Sequence, residues 1–349
     1  MHHPTPSRRP GILAIATVAL VLAACGPAVP TASPPLATSS SPAAAASLAT
    51  PTAPSPTAPA RSPESTIGTP RFTVARSPIR LPAGRSRAVA VVLGSELLVC
   101  GGLTLSGTTA SILRIDLATG HVSSFGALVQ AVHDAGGAVL GGAAYVFGGG
   151  QSVAEGTIQR VAGPGTGTRI GELPAARADL VAVSVAGEIL IVGGGTTAGP
   201  DGRILATTDG IHTRVLGRLL VPVRYPAVAV LGGLVYVVGG AMPTGDTTAI
   251  QVVDPASGSV RLLGHLPRPL SHASGLVLDG SILVAGGRSA GSAQAELWRL
   301  DPETGDVSTV GRLPYAVSDA AAVVVDGLGE LIGGEASGPI ATLITVTGS

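Results

Sequence analysis

Six residues stand at matching places along the chain: Arg87, Asp134, Asp179, Tyr225, His272 and Asp319, each fourteen positions before a Gly-Gly pair. Carboxylates, an imidazole, a phenol and a guanidinium are groups that hold polar ligands or move protons. Arg85, His133, Arg177, Arg224, Ser271 and Ser318 lie beside them. Asp134, Asp179, Asp319 and His272 are the candidates for paired acid and base work, provided that they reach one substrate. The competing expectation is that these side chains bond backbone at strand ends and organise the loops. The sequence has no H-E-x-x-H and no Gly loop leading into a helix to cradle phosphate.

The elements that must position these residues are repeats. Gly101, Gly148, Gly193, Gly239, Gly286 and Gly333 each open a Gly-Gly pair. Twenty positions upstream stands a leucine every time: Leu81, Leu128, Leu173, Leu219, Leu266 and Leu313. The stretch from Ala227 to Gly240 shows the unit: an alternating strand, a Gly232-Gly233 turn, a second strand and the closing glycines. Two-residue turns of this kind match the twist of a β-hairpin. A third strand follows, ending in a turn such as Asp301-Pro302-Glu303-Thr304-Gly305, and a fourth runs into the next leucine. Four strands per repeat, six times over, predict an all-β, six-bladed propeller with its ring residues facing a common axis. The last repeat lacks a fourth strand, and Phe72 to Leu81 is expected to supply it, removing a free sheet edge.

The apolar run, Gly-Gly, D-P-x-T-G turn and L-P of this unit resemble the Kelch repeat, over roughly Phe72 to Val346. The resemblance implies a six-bladed Kelch-type β-propeller, a galactose oxidase-like fold. It places the ligand face at the entry to the inner strands, with the loops after Gly-Gly. Carried onto this sequence, that face is Arg85, Arg87, His133, Asp134, Arg177, Asp179, Arg224, Tyr225, His272 and Asp319. Some bacterial Kelch propellers are mutarotases or oxidases. Copper held by Tyr and His, as in galactose oxidase, would have to draw on Tyr145, Tyr225, Tyr236, Tyr315, His121, His133, His212, His265 and His272, which are scattered over the repeat. The expectation is therefore no metal and no cofactor.

Composition sets the rest. Charged residues are 12% and hydrophobic ones 45%, as befits sheets buried on both faces. A formal net charge of zero argues against nucleic acid as a partner. Arg8 and Arg9 precede an apolar run ending Leu22-Ala23-Ala24-Cys25, which resembles a bacterial lipobox. Residues 1–25 are expected to be a lipoprotein signal peptide, with Cys25 the lipidated residue. Residues 26–70 are rich in Pro, Ala, Ser and Thr and are expected to form a disordered linker. Residues 71–349 are the propeller. Cys100 takes a place filled elsewhere by Phe147, Val192, Val238, Ala285 and Ile332, and is expected to be a buried apolar residue. These features predict an extracytoplasmic protein, lipid-anchored to the bacterial cell membrane. Its expected role is a non-catalytic binding or scaffold module for an extracellular protein or glycan. The alternative is a carbohydrate-acting enzyme, mutarotase or oxidase-like, working at the same face.

Overall fold

The computed structural model describes residues 71–348. Residues 1–70, where a signal peptide, a lipidated Cys25 and a linker are expected, lie outside the described residues. Every regular element described is a strand, and the strands form six antiparallel blades.

Blade four shows how the sequence makes the unit. Ala227–Leu231 pairs with Leu234–Val238, joined by Gly232 and Gly233, both at positive φ. Ala249–Val253 and Val260–His265 then add outward. Val235, Val237 and Val253 of this blade pack with residues of blade three, while Ala229, Tyr236 and Val252 pack with blade five. Each blade thus buries alternate residues on opposite faces, which explains the low charge content.

Closure follows the predicted route. In blade six the order outward is Ala321–Val325, Leu328–Ile332, Thr342–Gly348 and then Phe72–Arg80. Phe72 pairs with Gly348 and Arg76 with Ile344, so the start of the described chain seals its end.

The first glycine of each closing pair is required twice over. Gly101, Gly148, Gly193, Gly239, Gly286 and Gly333 all have φ between 60 and 67°, where side chains are strained. A Cβ there would also stand 2.1–2.9 Å from a carbonyl oxygen of the next blade. The second glycine donates its N–H to that same carbonyl at 2.8–2.9 Å in all six blades. Close approach without a side chain lets each blade bond to the next.

Cys100 is buried among Val89, Leu98, Ile112 and Val146. Burial pushes its thiol up to about 12, so it packs as an apolar group.

Candidate functional site

The six ring residues form a collar around the axis. Arg87, Asp134, Asp179, Tyr225, His272 and Asp319 all take the left-handed conformation, φ 51–64°. Each donates its backbone N–H to the carbonyl of the ring residue before it, at 2.8–3.0 Å, and Arg87 donates to Asp319 to complete the circle. The backbone alone therefore links all six blades a second time. Their side chains and the inner strands enclose a cavity of about 250 Å³. Its wall below the collar is small and apolar, with Ala90, Gly137, Val181 and Gly275 among the lining residues.

Around this collar the side chains divide into two sectors. In blades five, six and one every collar side chain meets an oppositely charged or polar neighbour. Asp319 is 2% exposed and takes His272 Nδ1 at 2.7 Å, Ser318 Oγ at 2.7 Å and Arg288 Nη2 at 3.3 Å. Arg288 also reaches Glu335 at 2.9 Å and Ser318 at 2.9 Å. Arg87 lies 3.5 Å from the other Glu335 oxygen, and Ser86 donates to it at 3.4 Å.

Blades two, three and four are more open. Asp134, 8% exposed, meets Arg87 at 3.2 Å, the Tyr225 hydroxyl at 3.4 Å and His133 Nε2 at 3.6 Å, all on Oδ2. Its Oδ1 accepts no hydrogen bond among the described residues. Asp179 pairs with Arg224, whose side chain is 46% exposed and crosses the Tyr225 ring at 5.4 Å. Tyr225 in turn stacks on His272, with centroids 3.7 Å apart. The first loop residues above these blades are Gly150, Gly195 and Ala241, whereas blades five and six place Arg288 and Glu335 there.

Electrostatics follow from the same geometry. Burial, opposed by Arg87 and reinforced by Asp179 and Asp319, pushes the Asp134 carboxyl up to about 7. Burial would also raise Asp319, but His272, Ser318 and Arg87 outweigh it and hold that acid below its ordinary value. Burial, then the charges of Asp134 and Asp179, raise the Tyr225 phenol. Burial and Arg87 lower His133. Burial works against the Arg87 cation, yet Asp134, Asp319 and Glu335 keep it firmly charged.

The structure therefore gathers eight of the ten candidates: the six ring residues, with His133 and Arg224 beside them. Arg85 and Arg177 turn away. Arg85 donates to the Ser111 carbonyl and hydroxyl at 3.2 and 2.7 Å. Arg177, 1% exposed, donates to the Gly193 and Arg203 carbonyls and to Asp201. Both stand sixteen positions before Gly-Gly, where the other blades carry Val132, Val223, Leu270 and Val317, all buried. That comparison separates them from the collar. The carboxylates of Asp134, Asp179 and Asp319 bond side chains, not strand-end backbone.

Arg288 and Glu335 are the collar residues that the sequence reading passes over. Their signal is position: each is the first residue after Gly-Gly. Gly287 to Gly291 also reads G-x-S-x-G. It forms the short hairpin Arg288–Ser289 with Ser292–Ala293, with no following helix, so it makes no nucleophile elbow. Tyr145 and Tyr236 are buried within blades, and His121, His212 and His265 are exposed in outer positions. Among the described residues no three His, Cys, Asp or Glu side chains converge as a metal site requires.

No family model matches the chain, and no curated protein matches it. Among solved structures, it resembles one titled "Structure of YjhT", with a TM-score of 0.66 and 15% sequence identity, covering 77% of this chain and 99% of that one. A likeness at that identity speaks for the six-bladed fold alone.

Proposed function

We propose that this propeller is a non-catalytic binding module for a polyhydroxylated, glycan-type ligand, seated on the blade two to blade four side of the collar. One observation carries this reading. Six non-glycine residues occupy the left-handed conformation around one axis, although glycine would serve the backbone circle with less strain. Strain of this kind collects where side chains serve a function. The open sector then supplies the matching chemistry: an unbonded carboxylate oxygen on Asp134, spare guanidinium N–H groups on Arg224 and the face of the Tyr225–His272 stack. Neighbouring hydroxyls both donate and accept, so they suit an acceptor and a donor set close together.

A second reading has its own support. An acid with a pKa of about 7 beside a tyrosine hydroxyl is suited to proton transfer, as a carbohydrate-acting mutarotase would need. A glycan array and a thermal-shift ligand screen on residues 71–349 test both. Binding without turnover of the hit supports the module, turnover lost in Asp134→Asn supports the enzyme, and no hit among glycans overturns both.

The Leu22-Ala23-Ala24-Cys25 motif supports a lipid-anchored, extracytoplasmic setting, with residues 26–70 as a spacer. Two or more acyl chains suffice for stable attachment. Cys25→Ser is expected to release the protein from the membrane fraction or leave it unprocessed. Normal processing with membrane retention would defeat that placement.

A further inference from the structure

Away from the collar, blade six carries a carboxyl where the other blades carry none. Three positions before each Gly-Gly stand Leu98, Tyr145, Leu190, Tyr236, Leu283 and, in blade six, Glu330. Glu330 is 2% exposed. It lies on Leu328–Ile332, opposite Val323 on one side and Thr345 on the other. Side chains alternate along a strand, so Glu330 shares the face of Ile332. That face packs with Leu97, Val99, Leu113 and Ile115 of blade one. This is the joint at which the two ends of the propeller meet.

Thr345 Oγ1 donates to one carboxyl oxygen at 2.9 Å. The other oxygen, Oε2, is sealed from solvent and has no partner. A neutral acid tolerates that position far better than an anion, which would be left with a buried charge and no donor.

No charged group on the surrounding strands bonds to Glu330. Glu96 and Arg114 of blade one pair with each other at 3.4 Å. Asp116, which follows, accepts the N–H groups of Ala118 and Thr119. Arg76 on the closing strand lies over Tyr315, on the far face of blade six. Arg80 is exposed at that strand's end, and Asp326 occupies the hairpin turn. None of these bonds to Glu330. Burial, opposed only by the Thr345 bond, pushes its carboxyl up to about 7.

We propose that Glu330 is a proton-operated latch on the joint between blade six and blade one. Neutral, it lets the joint close. Ionised, it loosens the joint and frees the strand Phe72–Arg80 first, because that strand is hydrogen-bonded along one edge only and its Ile79 packs across the same joint. The direction follows from linkage. The folded chain holds this proton more tightly than the free acid, with its ordinary value of 4.5. The stabilisation is therefore complete below that value and is lost as pH rises through about 7.

Amide exchange on the full chain tests the latch, at about pH 5.5 and about pH 8.5, corrected for the intrinsic pH dependence of exchange. Wild type is expected to lose protection several-fold in Phe72–Arg80 and Thr342–Gly348 at the higher pH, while Arg203–Thr207 in blade three holds. Glu330→Gln and Glu330→Leu are expected to keep their protection at both values. Should Glu330→Gln fold poorly, Glu330→Leu, which matches Leu98 and Leu190, decides alone. Identical pH behaviour of wild type and variants would overturn the latch, as would an equal loss in blade three.

Discussion

Blades five, six and one surround their collar carboxylate with donors, whereas blades two, three and four leave one carboxylate oxygen of Asp134 unbonded. Both sectors share one backbone design: left-handed ring residues joined in a circle of six hydrogen bonds. What differs is the first residue of the loop above. Arg288 and Glu335 add charged side chains over one sector, and Gly150, Gly195 and Ala241 add none over the other. The two carboxylates at the centre of these sectors respond in opposite ways. Asp319, surrounded by donors, is a stronger acid than usual, and Asp134, with one oxygen unbonded, is a weaker one. A fold that repeats six times thus carries a donor-filled sector and a more open one around the same collar.

The largest effect that would break this comparison is on stability. Asp319→Ala strands the His272, Ser318 and Arg288 donors in a buried place and is expected to cost about 3–5 kcal/mol. Asp134→Ala relieves an acid already resisting ionisation, and its cost is expected to stay within about 1 kcal/mol. Denaturant titration of both variants measures the difference. Equal losses would mean that the sectors are energetically alike.

Next in size is the pH dependence. The Asp319 contribution is present above the ordinary aspartate range and is lost as pH falls through its lowered value. That of Asp134 is present in acid and is lost as pH rises through about 7. Asp134→Asn should therefore gain on wild type as pH rises from about 5 to about 8, whereas the deficit of Asp319→Asn should be full near neutral pH and shrink as pH falls over the acid limb. Parallel melting profiles for the two variants would erase the distinction.

The fold was legible because its constraints are local. Gly-Gly, the leucine twenty positions earlier and the two-residue turn mark every blade, and each has a steric reason that admits few substitutes. The missing fourth strand pointed directly to Phe72–Arg80. The collar was legible only in part. Repeat position placed Arg87, Asp134, Asp179, Tyr225, His272 and Asp319 on one circle, but said nothing of their backbone conformation, because Arg and Tyr do not advertise a positive φ. Arg85 and Arg177 misled because they stand two positions before the ring residues, a place where the other blades carry buried Val or Leu. Arg288 and Glu335 were hidden in loops whose remaining residues are small and polar.

Three substitutions sharpen the comparison on its ligand side. Arg224 is half exposed but its partner Asp179 is buried, so Arg224→Ala leaves that carboxylate without its cation. It is expected to cost about 1–3 kcal/mol and to weaken a ligand found in the screen about tenfold or more. Arg288→Ala is expected to cost stability and leave affinity unchanged. The smallest effect on folding belongs to Gly195→Ala. A Cβ at Gly195 would stand 2.8 Å from Cδ and Nε of Arg224. The obstacle is the mobile stem of a long side chain, not backbone, so Arg224 swings away and the strand keeps its pairing with Ala178 and Pro200. Stability should then fall by no more than in Arg224→Ala, because the charge is kept and only its pairing with Asp179 is disturbed. Affinity should nonetheless fall nearly as far as in Arg224→Ala, because the guanidinium is present but displaced from Tyr225 and Asp179. Isothermal titration of the three variants with one ligand separates the cases. If Gly195→Ala binds as wild type while Arg224→Ala does not, the held position of Arg224 does not matter and only its charge does. If both bind as wild type, the seat is not over blades three and four.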